Sequence, residues 1–202
     1  MKKRILLISL IVLIISIAAG GVLAVAGSDE VETTNVITTG NIRIDLIEES
    51  LKEGSSTEYE PYQAPTGKVL PGMPVSKKIT VKNTGNYDAW VRVKLSPVLT
   101  PEDDSAVLDP QLIRYTGTGS TEWMSYWQYN ETDGYFYYIG VLEPNAVTVP
   151  LITGINFSSL MGNDYSGANV KLYVTAEATQ VRNNGNNSME AAADSWPEST
   201  TP

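Results

Sequence analysis

The stretch SKKITVKNTGNYDAWVRVKL, residues 76–95, decides the fold class. Ile79 and Val81 alternate with Lys78, Thr80 and Lys82; after the turn NTGN, Ala89, Val91, Val93 and Leu95 alternate with Trp90, Arg92 and Lys94. A period of two puts every second side chain on the same face of a pleated strand, so each run buries one face and wets the other. The segment reads as two strands joined by a short loop.

The pattern extends in both directions. Upstream, Ile42, Ile44 and Leu46 alternate with Asn41, Arg43 and Asp45, and a polar loop over 48–66 leads to the turn Leu70-Pro71-Gly72. Downstream, residues 97–121 are looser, interrupted by Pro101 and Pro110, with a short helical turn expected over 109–115. An aromatic hairpin follows: Trp127 and Tyr129, the turn NETDG, then a strand from Tyr135 to Leu142. Asp133-Gly134 marks it, because a tight hairpin turn needs a positive φ that glycine adopts freely. Glu143-Pro144-Asn145 turns the chain again; Val147, Val149 and Leu151 alternate, Ile155 and Phe157 follow, and a last strand sets Val170, Leu172, Val174, Ala176 and Ala178 on one face. About seven to nine strands and almost no helix predict an all-β chain folded as a two-sheet β-sandwich.

The first 26 residues have another character. Lys2, Lys3 and Arg4 precede an apolar run from Ile5 to Ala26, and Ala24 with Ala26 supplies the small residues of an A-x-A peptidase site. Cleavage is expected between Ala26 and Gly27. The competing reading is an uncleaved anchor, since about twenty apolar residues span a bilayer; Gly20, Gly21 and Ala24 to Gly27 weigh against it by lowering hydrophobicity where an anchor keeps it. A type IV pilin leader fits less well, because its cut precedes the apolar run. The organisation expected is a signal peptide over 1–26, a mature N-terminal segment over 27–38, the sandwich over 39–182 and a flexible polar tail over 183–202, with a contact by Trp196 as the alternative for that tail.

Loss of residues 1–26 leaves 176 of the 202 residues and removes three of the 14 basic ones, so the net charge moves from −9 to −12. Such a body repels nucleic acid and anionic lipid. The chain also has no cysteine and no histidine. Disulfides, thiolate metal sites, Ser-His-Asp or Cys-His nucleophiles, H-E-x-x-H zinc sites and an imidazole proton shuttle are therefore all excluded. The reading is of a non-enzymatic protein that needs no cofactor and is held by its core alone.

The elements TTNVITTGNIRIDL (33–46), LPGMPVSKKITVKNTGNYDAWVRVKL (70–95), TDGYFYYIGVLEPNAVTVPLITGINF (132–157) and KLYVTAEATQVRN (171–183) occur in this order in proteins of the TasA/camelysin family, which the chain resembles over nearly its whole mature length. The resemblance implies a secreted jelly-roll domain whose leader is cut by a SipW-type signal peptidase. It also implies assembly with identical subunits into an extracellular fibre of the biofilm matrix, as archaeal relatives form bundling pili. Some relatives carry a metalloprotease label, which a chain without imidazole does not support.

A sandwich with an open sheet edge can accept an extended peptide from the next subunit as an added strand. The segment freed by cleavage suits that role: Gly27, Ser28, Asp29, Glu30, Val31, Glu32, Thr33, Thr34, Asn35, Val36, Ile37 and Thr38 include no proline and five β-branched residues before Thr38. The alternative for these residues is a disordered or self-packed first strand. The alternative for the whole chain is a monomeric or membrane-anchored adhesin or glycan-binding module. Other matrix components or polysaccharide are further expected partners.

Three lesser patterns have plainer readings. Glu102, Asp103, Asp104 and Asp109 lack the spacing of a calcium loop and read as a solvated acidic loop. Trp123, Tyr126, Trp127, Tyr129 and Tyr135 to Tyr138 would stack on sugars, but aromatic residues also serve as cross-strand pairs. Asn130, Asn156 and Asn186 lie in N-x-S/T sequons, which matter only where the glycosylation machinery exists.

Overall fold

The structure is a computed structural model that describes residues 18–21, 23–24, 31–38, 42–65, 71–102, 106–117, 125–191 and 193–197. Alternation becomes pleat in the strands β1 (Ala18–Gly21), β2 (Leu23–Ala24), β3 (Val31–Thr38), β4 (Ile44–Leu51), β5 (Tyr59–Pro61) and β6 (Pro74–Asn83). The later strands are β7 (Ala89–Thr100), β8 (Ile113–Thr116), β9 (Trp127–Asn130), β10 (Tyr135–Tyr138), β11 (Ile152–Phe157) and β12 (Asn169–Gln180).

Two sheets result. The first runs β1-β3-β12-β7-β10-β9, with β2 also on β12; the second runs β5-β4-β6-β11-β8. Between them lies one core, to which the apolar parity of each strand contributes: Ile44, Ile79 and Val81 from the second sheet meet Val91, Val93, Leu172 and Val174 from the first. This is the two-sheet sandwich that the alternation predicts.

The quoted stretch forms two strands as expected, but they do not pair with each other. β6 belongs to the second sheet and β7 to the first, so the NTGN turn carries the chain from one layer to the other. Buried Asn83 fixes that crossing: its Nδ2 donates to the carbonyls of Tyr87 and Leu142, each at 2.8 Å, and its Oδ1 accepts from Gly85 N. Arg43 O accepts from the backbone of both Thr84 and Gly85, and a Cβ at position 85 would lie 3.0 Å from Arg43 N. Glycine is what lets the two backbones approach.

Three boundaries move. The polar loop over 48–66 is partly sheet, since β4 continues to Leu51 and β5 pairs with it. The hairpin strand from Tyr135 ends at Tyr138 rather than Leu142, and residues 143–151 run irregularly along the sheet with isolated bridges at Leu142 and Val147. The helical turn over 109–115 is a single 3-10 turn, Pro110–Leu112, followed directly by β8. The hairpin itself forms as expected, Tyr135 opposite Asn130 and Gly134 at φ +76°.

The flexible tail expected over 183–202 is corrected for its described part. Residues 183–191 and 193–197 fold back over the outer face of the first sheet. Asn184 is buried, accepts from Trp90 Nε1 at 2.7 Å through its carbonyl, and donates from Nδ2 to Gln180 O and Ser195 Oγ. Ser188 Oγ donates to Tyr138 O, and Trp196 is 5 % exposed against Tyr137. A polar composition here saturates its own hydrogen bonds instead of seeking water, so burial costs little. The contact by Trp196 is the alternative that holds.

Of the expected leader, β1 pairs antiparallel with β3, and β2 pairs with Asn169 and Val170; the rest lies outside the described residues. Among the described residues no helix is long and apolar enough to cross a membrane.

A buried ion pair closes one end of the core. Lys77 Nζ lies 2.6 Å from Glu48 Oε2, with side chains 0 % and 9 % exposed, and the Tyr62 ring covers the ammonium at 3.7 Å. Both residues share parity with core positions on their strands, so this pair stands where two apolar side chains would. Lys77→Ala, which strands the Glu48 carboxylate, should cost about 3–5 kcal/mol, whereas Lys77→Met with Glu48→Leu should be near neutral. Calorimetric unfolding of the two variants checks both.

Candidate functional site

The longest ladder in the molecule joins β12 to β7, twelve residue pairs from Asn169 opposite Thr100 to Gln180 opposite Ala89. The other edge of β12 takes β3, in parallel, with Thr34, Asn35, Val36, Ile37 and Thr38 opposite Val174, Thr175, Ala176, Glu177 and Ala178. Among the described residues every other strand pairing is antiparallel. The first strand after the expected cleavage site therefore lies against the last strand of the sandwich.

Two cross-strand rows converge on this edge. On the inner face Tyr129, Phe136, Val93, Ala176 and Val36 stand in register across five strands. Val36 is half-buried against the core, and Ala176, fully buried, is the small residue opposite it. On the outer face the row is Gln128, Tyr137, Arg92 and Glu177, with position 37 of β3 opposite Glu177 in register.

The outer row is unusual for a sheet face that composition assigns to solvent. Glu177 is 0 % exposed; its Oε2 accepts from Arg92 Nε at 2.8 Å and lies 2.6 Å from Arg92 Nη2. Its Oε1 accepts from Tyr135 OH at 2.7 Å. The guanidinium lies between two rings, 4.1 Å from the centroid of Tyr135 and 4.5 Å from that of Trp196. Arg92 Nη1 donates to Tyr137 OH, which donates to Asp133 Oδ2 at 2.6 Å. Burial works against the Arg92 charge, but the bonds to Tyr137 and Glu177 outweigh it and hold the guanidinium above its ordinary value.

Of the expected donor residues, Val31 to Thr38 form β3; Gly27, Ser28, Asp29 and Glu30 lie outside the described residues. Of the cleavage residues, Ala24 ends β2 opposite Asn169, while Ala26 and Gly27 lie outside the described residues. Sequence reasoning missed Arg92, Glu177 and Trp196 as a group. The signal was present in part: Arg92 and Glu177 both occupy outward parity on long strands, opposite in charge. What could not be read was the return of the C-terminal segment over them.

The lesser patterns resolve toward structure. Asp109 Oδ1 accepts from Gln111 N and so caps the 3-10 turn, and Glu102 packs against Gly167; Asp103 and Asp104 lie outside the described residues. Trp127 is buried with its Nε1 on Val149 O, and Tyr135 and Tyr137 lie under the C-terminal segment. Tyr126 and Tyr129 stay accessible, and Trp123 lies outside the described residues. Asn130 caps its own turn through Thr132 N, Asn156 donates to Thr116 Oγ1, and Asn186 donates to Glu190.

Burial pushes the phenols of Tyr115, Tyr137 and Tyr138 above their ordinary value of 10.0, reinforced for Tyr137 by the bond to Asp133. A raised value means that the folded state favours the protonated phenol. Their contribution to stability is thus complete below pH 10 and is lost as pH rises through the raised values. A tyrosinate absorbance titration should show a late class, Tyr115, Tyr137 and Tyr138, whose ionisation coincides with unfolding; the absence of any late class would contradict this. No protein-family model, curated protein or solved structure matches the chain.

Proposed function

We propose that the chain is a structural subunit of an extracellular matrix fibre, secreted by cleavage after Ala26 and polymerised by strand donation. In this reading β3 leaves its own sandwich and enters the next copy at the β12 edge. The observation that carries it is the placement of β3: held in parallel on β12, with β1 of the expected leader on its other side, so that loss of the leader leaves it as the edge strand, and contributing half-buried Val36 to a core that otherwise comes from the remaining strands. Full burial of a valine contributes about 1.5–3 kcal/mol, so half-burial makes β3 a removable part of the fold.

Removing β3 bares the backbone donors and acceptors of Val174 to Ala178 on one side, a template that another extended strand satisfies equally well. Donor and acceptor surfaces differ, so the contact between copies is head-to-tail and does not close on itself, which yields filaments. The incoming strand has the same sequence as the outgoing one, so exchange conserves the β12 contacts. The leader sets the timing, because a cut after Ala26 frees the end of the donor. The partners are then identical copies, a SipW-type signal peptidase, and other matrix components or polysaccharide; no catalytic step is assigned.

A monomeric glycan-binding module is the second reading, favoured by the rings of Tyr126 and Tyr129, 43 % and 50 % exposed. Deletion of Gly27 to Val36 separates the two. Under strand donation it should give a folded monomer by circular dichroism and size-exclusion chromatography, with no filaments in negative stain. Filaments of parental length from that deletion would sink the proposal, and an intact chain that stays monomeric while binding polysaccharide would favour the module.

A further inference from the structure

Any strand that enters the β12 edge faces a register problem that hydrophobic patterning does not solve alone. A slip of one residue turns every side chain to the wrong face, but a slip of two keeps the alternation. The acceptor is permissive to such a slip, since Val174, Ala176 and Ala178 are all apolar on the inner face. Something else must distinguish position 176 from 174 and 178.

The outer face carries that distinction. Along β12 the outward positions are Lys171, Tyr173, Thr175, Glu177 and Thr179, and Glu177 is the buried charge among them. Both of its oxygens are engaged, by Arg92 and Tyr135, and Trp196 closes over the Arg92 guanidinium. Position 37 of β3 stands opposite it in register. Along β3 the positions of that parity are Val31, Thr33, Asn35 and Ile37. A two-residue slip brings Asn35 or residue 39, a threonine, beside the ion pair, and a polar group there competes for Glu177 and admits water; an isoleucine does neither.

Resting on the strand-donation reading for its biological use, we propose that Glu177, clamped by Arg92 and Tyr135 beneath Trp196, is the register-determining residue of the β12 edge. The C-terminal segment over 181–197 is the part of the fold that holds it in place. Arg92 and Trp196 act through Glu177 and are positioning residues. The segment that composition marks as a loose tail thus sets the spacing at which copies join. Clamped in this way, Glu177 keeps both oxygens on Arg92 and Tyr135, so the register position opposite it accepts an apolar residue such as isoleucine and rejects the polar residues two positions away.

The test exploits a chain without cysteine. Asn35→Cys with Thr175→Cys reports the observed register, because opposed residues on neighbouring strands are about 5 Å apart and within disulfide reach. Asn35→Cys with Tyr173→Cys reports the two-residue slip, because that pair is about 8 Å apart in the correct register and out of reach. Both pairs are introduced into the full-length secreted chain, oxidised under filament-forming conditions and quantified by mass spectrometry. In the parent the first pair should dominate. Glu177→Gln and Trp196→Ala should each lower the ratio of the two yields by roughly tenfold, the factor carried by one buried charge-assisted contact. Trp196→Phe, which keeps a ring over Arg92, should restore most of it.

Ile155→Val, in the second sheet, serves as a control for general stability and should lower the melting temperature without moving the ratio. Should Trp196→Ala fail to fold, Glu177→Gln and Trp196→Phe carry the test. An unchanged ratio in Glu177→Gln overturns the proposal. So does an equal shift in Ile155→Val, or a Trp196→Phe chain that slips as freely as Trp196→Ala. The cross-links also separate this proposal from the one beneath it: bridges between chains support strand donation and bridges within one chain refute it, while the ratio of the two pairs decides the role of Glu177 in either case.

Discussion

The ladder between β7 and β12 is the constraint on which the rest of the molecule depends. Twelve consecutive pairs bring residues 89–100 against residues 169–180, and no disulfide assists them. One face of that ladder supplies Val91, Val93, Leu172, Val174, Ala176 and Ala178 to the core; the other aligns Arg92 with Glu177. Hydrophobic burial gives the ladder its strength, at about 25 cal/mol for each Å² of apolar surface removed from water, and fixes which face turns inward. The ion pair contributes something different. Its desolvation offsets much of its attraction, and the role proposed for it is to mark one register among several that the apolar face would tolerate.

The features that follow from local chemistry were legible. Alternation in 76–95 and 170–178 gave the strands and their buried parity, and Asp133-Gly134 gave the hairpin. The NTGN turn was read as a turn, but its length did not say whether the flanking strands pair or part. That choice is made by Asn83, whose side chain ties the crossing to nearby Tyr87 and to Leu142, 59 residues further along the chain. Lys77 shares the parity of Ile79 and Val81 in the sequence, but Glu48 reads as the start of a polar loop, and only the fold extends β4 to it and brings the two together.

The candidate site divides in the same way. The proposed donor half is a property of composition, an extended β-branched segment behind the expected peptidase site, and could be named residue by residue. Its acceptor half is a property of topology. Glu177 becomes buried because Trp196 returns over Arg92, and Trp196 returns because Asn184 anchors the turn that follows β12. Each link joins residues too distant for a local pattern, and the anchor is built from asparagine and serine, residue types that composition reads as solvated. A polar segment that satisfies itself is indistinguishable in sequence from one that does not.

On the strand-donation proposal, the charge of −12 expected after loss of residues 1–26 bears on how copies would meet. Bodies of that charge repel one another once they approach to within the screening length, about 8 Å in physiological salt. Broad surface docking between identical acidic faces is therefore disfavoured, whereas an inserted strand acts at a range shorter than that repulsion, through backbone hydrogen bonds and the Val36 side chain. Such a joint tolerates crowding only if it is made identically each time. A two-residue slip shifts a copy by about 6.6 Å along its strand, and slips at random joints would leave a filament without a constant repeat. A fibre built by strand donation would thus need a register device at the acceptor edge as much as it needs the donor, and in this chain β3 and the segment that follows β12 both lie against the β7–β12 ladder, where the proposal has the one fill the edge and the other define it.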